Sequence, residues 1–302
     1  MKTRLGIFIF SLILLPLGGF LLSGKAWDEL PAGIPAGSEN IAAILLTTLV
    51  LFAYILFANH MIKRTTGNSP INIQRNYYVW MAAASAILCW LLAYLNLFTA
   101  SWLASQGKPA MQILLYTPLF ALLAPAVLST RALLGSFSGL LKFLARGLAL
   151  PVPDGETLSL SIVSVSVLGL LGGAAWPAQL YWLLWLSPLL LLAALQLLWH
   201  ESTIFSGLKS GDWGRVTCAA LAGSIVGNLA AISYQAGGGR LISNLPNPLL
   251  AQLGYMLFGL LCLQLGDVVA ENWRGTKRGN LFQHRKKFPI PVVVNPAGIK
   301  RD

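Results

Sequence analysis

Leu158 to Trp199 reads LSLSIVSVSVLGLLGGAAWPAQLYWLLWLSPLLLLAALQLLW and has no Asp, Glu, Lys or Arg at any of its 42 positions. About 20 helical residues cross the roughly 30 Å of hydrocarbon in a bilayer. The stretch is therefore too long for one crossing and right for two. Pro177 divides it, because proline cannot continue the helix before it but fits the first turn of the helix after it. Gly172, Gly173 and Trp176 beside it read as the turn. The run is apolar on every face, which excludes the in-out alternation of a barrel strand. Helices are the remaining way to satisfy a backbone in lipid.

Working outward, further uncharged apolar runs cover 5–22, 41–58, 77–104, 111–130, 216–235 and 249–266, beside 158–174 and 178–199. The expected fold is all-α, a polytopic helical membrane protein of about eight spans over residues 1–270, followed by a basic tail over 271–302. The composition agrees: 56% of the 302 residues are hydrophobic and 10% charged, against about a quarter charged in a soluble domain. The first run, behind Lys2 and Arg4, could be a signal peptide. Its 18 apolar residues exceed the usual core of about 7–15, and no small-x-small cleavage pattern follows, so it reads as an anchor.

Basic residues are retained on the cytoplasmic side of spans. With the N-terminus inside, 18 of the 21 Lys and Arg fall in cytoplasmic segments, and only Lys25, Lys108 and Arg240 lie outside. Both termini are thus expected in the cytoplasm and the chain in a bacterial inner membrane. The net charge of +11 is an orientation signal, and without a recognition motif it does not point to nucleic acid. Cys89, Cys218 and Cys262 all fall inside spans, which argues against a structural disulfide.

Two non-spanning stretches stand out. Over 131–150, Leu133, Leu134, Phe137, Leu140, Leu141, Leu144 and Leu148 recur at helical spacing, with Arg131, Ser138, Lys142 and Arg146 on the other face. That pattern predicts an amphipathic helix on the cytoplasmic leaflet, weakened by Gly135, Gly139 and Gly147. Arg131, Lys142 and Arg146 are its candidate contacts to anionic lipid. The tail gathers eight basic residues around Phe288, Pro289, Pro291 and Pro296, a composition drawn to an anionic membrane surface. On the outer side, Arg240 behind Gly237 to Gly239 is a candidate anion contact, with a flexible loop the simpler reading of the glycines.

Ionisable residues at mid-depth would be functional suspects, and the spans offer none. Tyr54, Tyr94, Asn96, Gln112, Gln196, Asn228 and Gln264 are neutral and read chiefly as hydrogen-bonding glue between helices. Chemistry, where there is any, is expected at the cytoplasmic boundary. His200 and Glu201 end the sixth span, and Asp267 and Glu271 share a face at the end of the eighth. Together they could hold a divalent cation or act as acid and base. Alternatively they mark helix exits from lipid, with Arg215 and Arg274 as ion-pair partners. No cofactor is expected, since nothing pairs His60 with His200 within the bilayer. In the seventh span Ala219, Gly223, Gly227 and Ala231 form a small-residue stripe that lets helix backbones approach. Pro118, Pro125 and Pro188 predict kinks, and Trp102, Trp176, Tyr181, Trp182 and Trp185 an outer aromatic belt.

Leu123 to Leu134 (LAPAVLSTRALL), Tyr181 to Pro188, the Gly211, Asp212 and Trp213 turn and Gly254 to Gly259 (GYMLFG) resemble a set of multi-span bacterial membrane proteins without an assigned activity. The resemblance covers about the C-terminal two-thirds. Those proteins often carry a Trp-Glu-x-Trp-Asn motif in the seventh span, where Asn228 to Ser233 here reads NLAAIS, so a site built on that motif is not expected. The resemblance implies a membrane protein and nothing sharper. Three functions remain open: an accessory or scaffold subunit with a protein partner or second copy, a transporter or flippase of a lipid-like or small anionic substrate, and a lipid-modifying enzyme.

Overall fold

The computed structural model describes residues 2–25, 41–104, 109–150, 156–199, 201 and 203–274. Among these the chain is essentially all helix: α1 (Lys2–Leu22), α2 (Ile41–Thr66), a short α3 (Pro70–Ile73), α4 (Arg75–Thr99), α5 (Pro109–Gly135), a short α6 (Ser138–Leu144), α7 (Glu156–Ala175), α8 (Pro177–Leu198), α9 (Gly214–Ala236) and α10 (Pro248–Arg274). Eight of them, all but α3 and α6, are long and apolar enough to cross a membrane. The chain is a polytopic helical membrane protein.

Neighbours in space are not always neighbours in sequence. α7 and α8 form one close hairpin, and α1 packs on α7 rather than on α2. A second trio, α2, α5 and α9, packs mutually, and α4 and α10 lie between the trios. α1 is built into this arrangement, with Phe8, Leu12 and Phe20 buried. Glycines set the closest approaches. A Cβ on Gly19 would stand 2.0 Å from the Leu171 carbonyl oxygen, and one on Gly169 2.1 Å from Ser187 Oγ.

Helix ends mostly follow the sequence, with instructive departures. Trp176 caps the boundary between α7 and α8, and Pro177 opens α8. Gly172 and Gly173, read as turn residues, lie inside α7 and serve packing: Cβ atoms there would crowd Leu180 and Leu184 of α8. The third apolar run does not remain helical to 104. α4 ends at Thr99, where Ala100 takes a left-handed conformation at φ 45°. The chain then enters a strand, β1 (Trp102–Ala104), which pairs antiparallel with β2 (Leu241–Ser243). Trp185 is part of this cap rather than a free belt residue. It stacks on Trp102 with ring centroids 4.4 Å apart and donates from Nε1 to Ser101 Oγ at 2.9 Å.

The glycine run is a packed turn rather than a flexible loop. Gly237 lies against Ala43, and Gly239 lies under the Tyr234 ring.

The surface helix expected over 131–150 is much shorter. α5 continues through Arg131 to Gly135, α6 spans Ser138–Leu144, and the chain beyond turns at 145–147 and is irregular to 150. Three low-propensity glycines explain the truncation. This segment is clasped to the α8–α9 connection: Trp213 donates from its backbone N–H to Leu144 O at 3.1 Å and from Nε1 to Leu148 O at 2.9 Å. Gly147 donates to Gly211 O at 3.0 Å.

Beside Pro125, α4 serves the backbone of α5. In an unbroken helix the Ala124 N–H would bond the Phe120 carbonyl. Here the Ser85 hydroxyl stands between them, accepting from Ala124 N at 3.0 Å and donating to Phe120 O. Pro125 follows at once, so the insertion sits where proline has already broken the ladder.

Candidate functional site

The end of the bundle opposite the strands, its basic end, gathers the boundary carboxylates. The first turn of α9 is fixed by Asp212, whose Oδ1 accepts from the Gly214 N–H at 2.9 Å, while Gly211 takes φ 73° in the turn before it. That start places Arg215 beside α10. Arg215 Nη2 donates to Asp267 Oδ2 at 2.5 Å, with the two side chains 15% and 14% exposed. Asp267 is thus held in an ion pair. Arg131, near the end of α5, lies within electrostatic reach of both Arg215 and Asp267.

Glu201 and Glu271 take a different direction. Together with Gln196, Leu5, Leu195 and Val268 they line a small crevice of about 20 Å³ where α1, α8 and α10 meet. Below the carboxylates, Gln264 Nε2 donates to Gln196 Oε1 at 2.8 Å. Both amides are fully enclosed, 2% and 0% exposed. Gln196 Nε2 and Gln264 Oε1 find no hydrogen-bond partner, leaving one donor and one acceptor in a low-dielectric setting where an unmade bond costs about 1–3 kcal/mol.

Three of the four expected residues are described, and they face two ways. Asp267 turns to Arg215, Glu201 and Glu271 share the crevice, and His200 lies outside the described residues. Among the described residues no three of His, Cys, Asp and Glu come close enough to share a metal ion. The three cysteines are free and buried. Lys142 and Arg146 are exposed on the clasped segment, and Arg240 is exposed at the strand end. The basic tail from 275 onward lies outside the described residues.

The small-residue stripe faces α10 of the same chain. A Cβ on Gly223 would stand 2.2 Å from Tyr255 O and 2.6 Å from Gly259 Cα, and one on Gly227 2.4 Å from the Tyr255 ring. Gly259 approaches Ala219 O in return. Ala231 is half-buried farther along α9. The same helix pair is locked by amides: Asn228 Nδ2 donates to Gln252 Oε1 and Gln252 Nε2 to Asn228 Oδ1, both at 2.8 Å, while Ser224 Oγ donates to Gln252 Oε1 at 2.7 Å.

Sequence reasoning missed three members of this architecture. Ser85 gave no signal because a lone serine in an apolar helix is common. Nothing one-dimensional paired Gln196 with Gln264 or Trp213 with Gly147. No protein-family model, curated protein or solved structure matches the chain.

Proposed function

We propose that this integral membrane protein is an accessory or scaffold subunit of a membrane assembly, with a protein partner or a second copy of itself as its binding surface. One observation carries the reading: polar side chains within the spans are engaged in holding helices to one another. Ser85 braces α5 beside Pro125, Asn228 and Gln252 lock α9 to α10, and Tyr54 bonds Thr130 across α2 and α5 at 2.8 Å. A bundle so braced suits a rigid support better than an alternating-access device, whose broken helices line a cavity.

Mild-detergent purification of the tagged full chain tests this. Stoichiometric co-purification of a partner, or a defined oligomer, is the expected result. A solitary protein whose loss changes the distribution of a lipid between leaflets would sink the reading, because a support does not move lipid.

Transport of a small polar solute is the second reading, favoured by the Gln196 and Gln264 pair beneath Glu201 and Glu271. It requires that Gln196→Leu abolish a growth phenotype while the protein stays folded, whereas a support would tolerate that change.

A further inference from the structure

We propose that Arg131 and Arg215 form a binding site for the phosphate of an anionic phospholipid at the basic end of the bundle, going beyond the support role above. The case begins with charge. Two guanidinium groups share this corner with the Asp267 carboxylate, and Leu128, one turn before Arg131 on α5, packs against Gly266 beside Asp267. The ion pair between Arg215 and Asp267 is largely buried. Arg215 Nε, on the same guanidinium, is enclosed without a hydrogen-bond partner. Among the described residues Arg131 has no hydrogen-bond or ion-pair partner, although Arg215 repels it and Asp267 attracts it. A half-buried guanidinium that makes no hydrogen bond is costly, and its fork matches the oxygens of phosphate in a bidentate way.

Location selects the source of that phosphate. Arg131 closes the membrane-crossing part of α5, two turns before the clasped segment. That segment turns Phe143 and Leu148 outward, 76% and 75% exposed, beside the exposed Lys142 and Arg146. Exposed large apolar side chains interleaved with basic ones describe an element lying at a lipid–water boundary. The guanidinium pair therefore sits at headgroup level, where phospholipid phosphate is concentrated.

The test uses the full chain in mild detergent, freed of co-purified lipid. Thermal unfolding is followed while phosphatidylglycerol, phosphatidylcholine or inorganic phosphate is added, with native mass spectrometry to count bound lipid. Phosphatidylglycerol should raise the melting temperature of the wild type by several degrees and remain bound, and phosphatidylcholine should do neither. Arg131→Gln should weaken phosphatidylglycerol binding at least tenfold. Without lipid, that variant should melt no lower than the wild type, since it removes a repulsive neighbour of Arg215. Arg240→Gln, at the opposite end, should bind as the wild type does. Equal shifts from both lipids, or an Arg131→Gln protein that keeps the full phosphatidylglycerol shift, overturn the proposal. A shift from inorganic phosphate with none from either lipid overturns the lipid assignment. If Arg131→Gln fails to fold, Arg131→Lys decides: it keeps the charge but loses the fork, and undiminished binding there refutes a guanidinium site.

Discussion

At the scale of single residues, Gly223 and Gly254 make a matched pair. Both sit in spanning helices, yet a Cβ on Gly223 meets the backbone of α10 at 2.2 Å, while one on Gly254 meets nothing within 4 Å. Backbone cannot rotate away, so Gly223→Ala should cost about 1–3 kcal/mol, read as a lower melting temperature in detergent. Gly227→Ala should cost less, because its obstacle is the Tyr255 side chain. Gly254→Ala should be neutral or slightly stabilising, and equal losses at 223 and 254 would show that helix contact is not the cause. Ser85→Ala removes a bridge between two backbone groups of α5 and should cost about 1–2 kcal/mol. Ser85→Thr, which keeps the hydroxyl, should recover part of it. The stripe was legible because a period of four small residues is a one-dimensional pattern, although its partner was not. Ser85 was illegible because its role depends on Pro125 in a different helix.

Elements show where the reading of hydrophobicity ends. Length and apolar composition located the eight spanning helices, since water offers no alternative for such runs. They did not show where a run stops being helical: Trp102, Leu103 and Ala104 are as apolar as α4, and only pairing with Leu241 to Ser243 makes them a strand. The clasped segment was over-read for the opposite reason, since helical spacing persisted in the sequence after glycine had ended the helix. Trp213→Ala should free this segment, removing the bond to Leu148 O and the ring against Gly147. Hydrogen–deuterium exchange should then rise over 138–150 while α9 and α10 stay protected. Unchanged exchange over 138–150 would mean that lipid contact, not the clasp, holds the segment.

For the whole molecule, the eight crossings and the alternation of basic loops make one topological prediction. Reporter fusions after Gly107, Ala175 and Gly238 should report the outside, and fusions after Gly67, Gly155, Ser210 and Lys300 the cytoplasm. Two reversed reports would refute that orientation. The bundle agrees internally: Leu5 of α1 shares one crevice with Glu201 and Glu271 at the ends of α8 and α10, as an even number of crossings requires. The candidate site was only half legible. The sequence indicated the boundary and the residue types, but how Asp267, Glu201 and Glu271 divide between an ion pair and a crevice depends on which helices adjoin. The contact of α1 with α7 also has a consequence in time. Gly19 and Leu171 touch although they are 152 positions apart, and ribosomes add about 5–20 residues per second. For roughly 8–30 s after α1 is made, Gly19 has no native partner on α7, so the first helix synthesised must wait in the membrane or in the insertion machinery with only its contacts to α4, such as Phe20 on Phe98, to hold it.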